Sequence, residues 1–234
     1  MKVLILAGGY GTRLSEETSS KPKPMVLLDD NPILWHIMNI YASQGFSDFV
    51  IAAGYKAKNI FDWSKKLLNN WTVRVIDTGL DTQTGGRIKQ CIASEKSDEF
   101  LVTYGDGLAN INLVNLIEFH RNASKKATVT AVRPPARFGV LVLNQGIVTN
   151  FGEKLQTDSG WINGGFFVLS PSVNEYIVGD DDSFELHTLP KLVKDLELAA
   201  FQHKGFWQPM DTLRERNLLS DYLKTSDTPP WLRV

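Results

Sequence analysis

The first half of the chain alternates short apolar runs, rich in β-branched residues, with longer amphipathic segments. Strands that are covered on both faces read as apolar runs, whereas helices with one buried side read as amphipathic segments. The alternation therefore predicts stacked β-α units around a largely parallel sheet. The predicted strands are 2–7, 48–53, 72–77, 99–104 and 127–133. The predicted helices are 56–68, 85–95, 112–122 and a segment that Asn31-Pro32 caps and that runs to about Ser43.

After Val132 the pattern changes to short apolar runs separated by Asn/Gly turns. Such spacing is typical of hairpins, so this half predicts antiparallel or mixed pairing. The predicted strands here are 139–143, 147–151 and 161–169, and the predicted helices are 171–178, 185–195 and 211–224.

Composition narrows the class of protein. A length of 234 residues suits one large α/β domain over residues 1–234. The net charge of −1, without a basic block, disfavours nucleic acid and membrane surfaces as partners. Cys91 is the only cysteine, and no apolar run approaches about 20 residues, so we expect a cytoplasmic protein without disulfides.

The apolar run 2–7 opens into the glycine loop Gly8-Gly9-Tyr10-Gly11-Thr12-Arg13. Glycines allow backbone N–H groups to approach phosphate oxygens, and Arg13 with Lys23 would supply positive charge. The loop lacks the third glycine of a dinucleotide fingerprint and the Gly-Lys-Ser/Thr of a P-loop. It therefore predicts a polyphosphate site of another kind, against the simpler alternative of a tight strand-to-helix turn.

The segment Lys21-Pro22-Lys23-Pro24 places two lysines on stiff backbone, because each proline fixes its own φ and restricts its predecessor. In an extended segment, Lys21 and Lys23 would share one face. The alternative is a solvated turn with two surface lysines.

Two acidic residues are candidate Mg²⁺ ligands. Asp106, in Thr103-Tyr104-Gly105-Asp106-Gly107, follows a predicted strand, and ligands of open α/β sheets collect at such strand ends. Asp211 stands where the last helix would begin and, taken alone, is better explained as its N-cap. Together they offer two carboxylates to one Mg²⁺.

Two further glycine-containing segments suit small-ligand contacts. Thr84-Gly85-Gly86-Arg87 could place bare backbone against a flat base, and Glu153-Lys154 with Asn163-Gly164 could serve sugar hydroxyls. Glycine pairs also mark bulges. We interpret His36 and His120 as helix residues without a catalytic role.

Two motifs resemble the signature of the sugar-1-phosphate nucleotidyltransferase superfamily: Leu6-Ala7-Gly8-Gly9-x-Gly11-Thr12-Arg13-Leu14 and Pro22-Lys23-Pro24-Met25. The resemblance to this superfamily extends over essentially the whole chain. Among its members the chain looks most like the glucose-1-phosphate cytidylyltransferases, with a shorter segment before Ile76-Asp77-Thr78-Gly79. The resemblance implies an α/β, Rossmann-like, three-layer α/β/α (GT-A-like) fold. Its central sheet would be mostly parallel, with an antiparallel or mixed sugar-binding portion.

The resemblance also implies a reaction: a nucleoside triphosphate, here CTP, and a sugar 1-phosphate, here glucose 1-phosphate, give a nucleotide sugar and pyrophosphate with Mg²⁺. It assigns catalysis to Arg13 and Lys23 and the metal to Asp106 and Asp211. It assigns sugar-phosphate binding to Asp106, Glu153, Lys154, Asn163 and Gly164. It assigns nucleotide binding to Leu6, Ala7, Gly8, Gly9, Gly11, Thr12, Arg13, Lys23, Thr84, Gly85, Gly86, Arg87, Tyr104 and Gly105.

Several alternatives stay open at this point. The nucleotide could be dTTP, UTP or GTP, and the acceptor another sugar or polyol phosphate. A non-catalytic nucleotide-binding module would keep the fold without turnover, although Arg13, Lys23, Asp106 and Asp211 are all present. An NAD-dependent oxidoreductase is disfavoured by the loop. We expect small-molecule substrates and a homo-oligomer.

Overall fold

The computed structural model of the protein describes residues 1–67, 70–134, 140–145, 147–152 and 160–234. Apolar runs and short turn-bounded segments form its strands. In chain order these are β1 (Lys2–Ala7), β2 (Leu27–Leu28), β3 (Asn31–Pro32), β4 (Asp48–Ala53), β5 (Thr72–Asp77), β6 (Phe100–Tyr104), β7 (Gly107–Ala109), β8 (Ala127–Val132), β9 (Val140–Asn144), β10 (Ile147–Gly152), β11 (Ile162–Leu169), β12 (Leu198–Gln202) and β13 (Trp207–Pro209).

The amphipathic segments form helices that connect these strands. They are α1 (Ser15–Thr18), α2 (Ile33–Ala42), α3 (Ala57–Ser64), α4 (Thr84–Ser94), α5 (Leu113–Ala123), α6 (Leu189–Lys194) and α7 (Leu213–Thr225). Short 3₁₀ turns cover Thr12–Leu14, Lys23–Met25, Pro171–Tyr176 and Pro230–Leu232, and a π-helical turn covers Phe184–Thr188. Within the described ranges, none of the helices combines the length and the apolar character that crossing a bilayer requires.

Seven strands form one sheet in the order β12-β8-β11-β6-β1-β4-β5. Strands β6, β1, β4 and β5 are parallel neighbours, and β12 is parallel to β8. Strand β11 runs antiparallel to both β6 and β8. Strands β9 and β10 pair antiparallel with each other, outside this sheet. The predicted mixture of a mostly parallel sheet with antiparallel pairing in the second half is confirmed.

The sheet is covered on both faces, as β1 shows. Its side chains alternate, so that Val3, Ile5 and Ala7 belong to one apolar core with residues of α2, α5 and α7. Leu4 and Leu6 belong to a second core with residues of α4 and α6. Two buried cores on opposite faces of one sheet make the three-layer α/β/α arrangement that the resemblance implied.

Most predicted helices and strands are present within one to three residues of their expected bounds. The helix predicted over 56–68 ends earlier, at Ser64, and three other regions differ. Asn31 does not cap α2: the N-cap is Pro32, which provides no side-chain hydrogen bond, and Asn31-Pro32 pair with Leu27-Leu28 as strand β3. The helices predicted over 171–178 and 185–195 are a 3₁₀ turn and a π-helical turn followed by α6. Strand β12 was not predicted, because it lies partly exposed at the sheet edge and two of its five residues are alanines, which are depleted in strands.

Candidate active site

A cleft of about 620 Å³ opens where β1 and β6 end. These strands are parallel neighbours, so the loops that follow them lie side by side at their carboxyl ends. The predicted residues that line the cleft are Leu6, Ala7, Gly8, Gly9, Gly11, Thr12, Arg13, Lys23, Thr84, Arg87, Tyr104, Gly105, Asp106 and Asn163. Lining residues for which the sequence predicted no role are Tyr10, Pro24, Leu80, Asp81, Thr82, Gln83 and Glu185.

The glycine loop is shaped by Gly11, which adopts a left-handed conformation with φ of +67°. A Cβ at this position would lie 2.9 Å from the Cβ of Lys23 and 3.0 Å from Cγ2 of Thr18. Thr18 also donates its hydroxyl to the carbonyl of Gly11 at 3.1 Å. Glycine is therefore needed here both for the backbone turn and for the close approach of Lys23.

Lys23 is turned into the cleft by a local structure that differs from the prediction. Pro22 is extended, as expected, but Lys23 begins a 3₁₀ turn, so Lys21 and Lys23 do not share an extended face. Lys21 instead faces Glu17 at 3.6 Å. The side chain of Lys23 is only 9% exposed and points away from bulk solvent.

The ammonium of Lys23 bridges the two predicted metal ligands. Its Nζ lies 2.7 Å from Oδ2 of Asp106 and 2.7 Å from Oδ1 of Asp211. Burial lowers the pKa of Lys23, but the two carboxylates, Asp106 foremost, outweigh burial and leave the pKa raised. Lys23 is therefore a fixed positive charge at neutral pH.

Asp211 is free for this contact because it does not cap the last helix. The N-cap of α7 is Thr212, which forms a capping box with Glu215. The backbone N–H of Asp211 also donates to the Glu215 carboxylate at 2.7 Å. The other oxygen of Asp211 lies 2.6 Å from the guanidinium of Arg13, a side chain that is 74% exposed.

The two aspartates are brought together by the short antiparallel pair β7 and β13. Pro209 lies opposite Gly107, and the N–H of Met210 donates to the carbonyl of Asp106 at 2.8 Å. Asp106 and Asp211 thus flank one end of this ladder. The pairing joins segments about a hundred positions apart, which is why local sequence signals alone did not decide between a cap and a ligand.

The carboxylates of Asp106 and Asp211 are chemically suited to a divalent cation. They converge on one positive atom, and carboxylate oxygens are the donors that Mg²⁺ prefers. In the part of the chain that the structure describes, no group of three or more His, Cys, Asp and Glu side chains forms a complete metal site. A cation held here would need further oxygen ligands from phosphate groups and water, as is common for Mg²⁺.

The predicted base-facing segment is arranged differently from the expectation. Gly85 and Gly86 lie in the first turn of α4, where added Cβ atoms would meet the backbone of Asp182 and Asp180 at 2.5 and 2.6 Å. Neither glycine lines the cleft. They allow α4 to pack closely against the segment before the π-helical turn.

Arg87 is buried, and its guanidinium forms hydrogen bonds with several backbone carbonyls. Its guanidinium donates to the carbonyls of Gly8 at 3.2 Å, Ala53 at 3.0 Å, Gly79 at 2.9 Å and Leu80 at 3.3 Å. Burial lowers the pKa of this guanidinium, and nearby Asp77 offsets the effect only in part. The arrangement ties the glycine loop to the opposite side of the cleft.

The wall of the cleft away from Lys23 carries a polar cluster. Glu185 accepts hydrogen bonds from the hydroxyls of Tyr104 at 2.5 Å and Thr84 at 2.6 Å. The amide of Asn163 donates to the Tyr104 oxygen at 3.0 Å. Gly164 does not line the cleft, and its carbonyl accepts from the indole of Trp207 at 2.8 Å. The predicted sugar contacts Glu153 and Lys154 lie outside the described residues.

Comparisons with known proteins show the family to which the chain is related. A family model described as nucleotidyl transferase matches residues 2–214. The glucose-1-phosphate cytidylyltransferase of Salmonella typhimurium is 45% identical over an alignment of 252 positions that includes 98% of each chain. The probable glucose-1-phosphate cytidylyltransferase of Bacillus subtilis is 42% identical over 94% of each chain. The crystal structure of HddC from Yersinia pseudotuberculosis, 28% identical, superposes with a TM-score of 0.76 over 95% of this chain and 99% of that one.

The alignment with the Salmonella protein also shows that the two chains differ in length. It spans 252 positions, more than the 234 residues of this chain, so that protein carries additional residues within the matched region. This agrees with the expectation that such enzymes have a longer chain than this one. That the difference lies before Asp77 stays a prediction.

Proposed function

The chain belongs to the nucleotidyl transferase family, and on that premise we propose that it transfers the cytidylyl group of CTP to glucose 1-phosphate, giving CDP-glucose and pyrophosphate. The observation that carries the proposal is the convergence of Arg13, Lys23, Asp106 and Asp211 beside the glycine loop. The choice of CTP and glucose 1-phosphate is supported by the names and near full-length identity of the Salmonella and Bacillus relatives.

The glycine loop and its flanking cations would bind the nucleotide. Backbone N–H groups of residues 8–12 suit phosphate oxygens, and the exposed guanidinium of Arg13 suits the β- and γ-phosphates, which leave as pyrophosphate. The buried ammonium of Lys23 suits the phosphates between which the reaction occurs. The base would lie toward residues 80–83, which line another part of the cleft.

In the proposed reaction an oxygen of the sugar phosphate attacks the α-phosphorus of CTP in line. The new P–O bond forms as the bond to the β-phosphate oxygen breaks, and pyrophosphate leaves with the bonding electrons. The attacking phosphate is already ionised at neutral pH, so no side chain has to remove a proton. Catalysis therefore depends on alignment and on the charges of Arg13 and Lys23.

Asp106 and Asp211 would hold Mg²⁺, which when bound neutralises phosphate charge and orients the triphosphate. The Lys23 ammonium occupies one oxygen of each carboxylate, so it would compete with a cation held by both. An ammonium displaced in this way would be available to the reacting phosphates.

The sugar phosphate would occupy the part of the cleft near Asp106 and Asn163. Glu153 and Lys154 are further proposed contacts. We also place the enzyme in the cytoplasm and expect it to act as a homo-oligomer on small-molecule substrates. The buried free thiol of Cys91 is compatible with a reducing compartment.

A pyrophosphate-release screen tests the proposal. CTP, dTTP, UTP and GTP are each combined with glucose 1-phosphate and other sugar 1-phosphates in the presence of Mg²⁺, and products are identified by mass. We expect CTP with glucose 1-phosphate to be among the best pairs, with CDP-glucose as product. A better nucleotide than CTP would overturn the substrate assignment alone. Absence of pyrophosphate with every pair would instead favour a non-catalytic nucleotide-binding module.

A further inference from the structure

Glu185 has an unusual position for an acidic residue in a cleft that takes anionic substrates. It is the second residue of the π-helical turn Phe184–Thr188, and it lines the cleft. It accepts hydrogen bonds from three neutral hydroxyls, those of Tyr104, Thr84 and Ser183. Among the described residues, no cationic side chain forms an ion pair with it. A carboxylate without a cation repels phosphate, so this wall suits a neutral part of a substrate.

An ionised carboxylate only accepts hydrogen bonds, and this sets the direction of every bond around it. Tyr104 has to donate its proton to Glu185, and Thr84 has to do the same. The Thr84 oxygen can then accept from the N–H of Phe184 at 2.9 Å. The Tyr104 oxygen can likewise accept from Nδ2 of Asn163 at 3.0 Å.

The side-chain amide of Asn163 is consequently held by hydrogen bonds at both its oxygen and its nitrogen. Its Oδ1 accepts from the N–H of Gly165 at 2.8 Å, and one of its Nδ2 protons is used by Tyr104. The side chain lines the cleft, and its second Nδ2 proton is left for another acceptor. The wall thus offers an N–H donor of defined direction, which is what a sugar hydroxyl oxygen requires.

The Tyr104 ring is held as firmly as its hydroxyl. It packs edge-on against Phe167 with centroids 5.8 Å apart, and Phe167 packs against Phe184 of the π-helical turn at 5.4 Å. These ring contacts hold the Tyr104 hydroxyl against the Glu185 carboxylate, to which it donates at 2.5 Å.

We propose that Glu185 is a positioning residue for the sugar: through Tyr104 it orients the amide of Asn163 and so helps to select the hydroxyl pattern of the sugar phosphate. This inference rests on the proposed function and extends it to a residue that would not touch the substrate. Both carboxylate oxygens are used within the protein. Glu185 therefore acts only through the groups that it orders.

Replacement by glutamine is the sharpest test, because it preserves size while changing the direction of one hydrogen bond. A glutamine amide accepts at its oxygen but donates at its nitrogen, so Tyr104 or Thr84 has to reverse its role. In Glu185→Gln we expect the KM for glucose 1-phosphate to rise about tenfold, which is the size of effect of one lost charge-assisted hydrogen bond. The KM for CTP and kcat should stay within about threefold of the original values.

Three controls separate positioning from general damage. Glu175→Gln changes an acidic side chain that is 71% exposed and paired with Lys126 at the surface, and it should leave both KM values unchanged. Tyr104→Phe should raise the KM for glucose 1-phosphate as Glu185→Gln does, and the double variant should be no worse than either single one. The preference for glucose 1-phosphate over galactose 1-phosphate should fall in both.

The possible outcomes have distinct meanings. An active parent protein with an unchanged KM for glucose 1-phosphate in Glu185→Gln would overturn the role of Glu185 and leave the proposed function intact. Equal rises in both KM values, or additive effects of the two substitutions, would also overturn it. Absence of turnover by the parent protein with every substrate pair would overturn the proposed function and this inference together.

Discussion

Lys23 and Asp211 are 188 positions apart in the chain, yet the Lys23 ammonium lies 2.7 Å from the Asp211 carboxylate. Lys23 lies equally close to Asp106, so one buried cation joins a 3₁₀ turn near the start of the chain, the end of β6 and the segment before α7. The contact explains why separate motifs, each with an ordinary structural explanation, form one site.

Lys23→Met should lower turnover by about 10²- to 10³-fold, because it removes a charge aimed at the reacting phosphates. Methionine retains the length and the apolar stem of the side chain, so the protein should remain folded. Steady-state pyrophosphate release and circular dichroism measure the two properties. Lys21→Met is the matched control, since Lys21 faces only Glu17, and near-normal turnover in Lys23→Met would remove Lys23 from the mechanism.

The same substitution should strengthen binding of a divalent cation when no nucleotide is present. In the parent protein the ammonium competes for both carboxylates, whereas Lys23→Met leaves them to the cation. Removing one positive charge at this distance should raise the affinity for Mn²⁺ about tenfold or more. Electron paramagnetic resonance of free Mn²⁺ measures this directly, and it is independent of turnover.

Asp106→Asn in the Lys23→Met background provides the control for this metal experiment. It removes one of the two carboxylate charges and should cancel the gain in Mn²⁺ affinity. Equal Mn²⁺ affinity in the parent protein and in Lys23→Met would mean that Lys23 does not compete for these carboxylates.

Arg13→Ala should separate activity from stability. The Arg13 side chain is 74% exposed, and an exposed ion pair is worth at most about 1 kcal/mol, so urea unfolding should change little. Turnover should nevertheless fall by about 10²-fold or more. Arg121→Ala breaks a comparable exposed pair with Glu99 away from the cleft, and it should leave turnover intact. A similar result for both variants would exclude Arg13 from catalysis.

Gly11→Ala should impair both the fold and the site. The left-handed φ of +67° costs alanine about 1–2 kcal/mol, and the added Cβ would press on the Cβ of Lys23. Gly45→Ala imposes a positive φ where no atom lies within 4 Å of the new Cβ. Both variants should lose similar stability in urea, but only Gly11→Ala should lose turnover, by about tenfold or more. Full activity of Gly11→Ala would show that the approach of Lys23 tolerates displacement.

The sequence predicted the parts of the site that depend on short stretches of chain. The glycine loop after β1 and Asp106 after β6 lie at strand ends, and strand ends are visible in the apolar pattern. The orientation of Lys23 was not predictable, because the two flanking prolines permit both an extended segment and the observed 3₁₀ turn. The role of Asp211 was ambiguous for a different reason. Thr212, rather than Asp211, caps α7, and the pairing of β13 with β7 places Asp211 near Asp106.

Arg87 and Glu185 show the limits of local patterns. Gly85-Gly86-Arg87 has the composition of a ligand-binding loop. In the structure, however, the two glycines allow close helix packing, and the arginine donates to backbone carbonyls. Glu185 was given no site role because its partners Thr84 and Tyr104 lie 101 and 81 positions away. Residue spacing along the chain does not predict contacts between residues so far apart in sequence.

The bridge between Lys23 and the aspartates also determines what substrate binding costs. The carboxylates of Asp106 and Asp211 carry two negative charges and Arg13 and Lys23 carry two positive ones, so the resting cluster is formally neutral. In the proposed reaction, a triphosphate would bind together with a divalent cation and so bring both signs of charge. Its phosphates would pair with Arg13 and Lys23, and Asp106 and Asp211 would hold the cation. Each charged side chain would then exchange one counter-charge for another, so that binding would leave none of them unpaired.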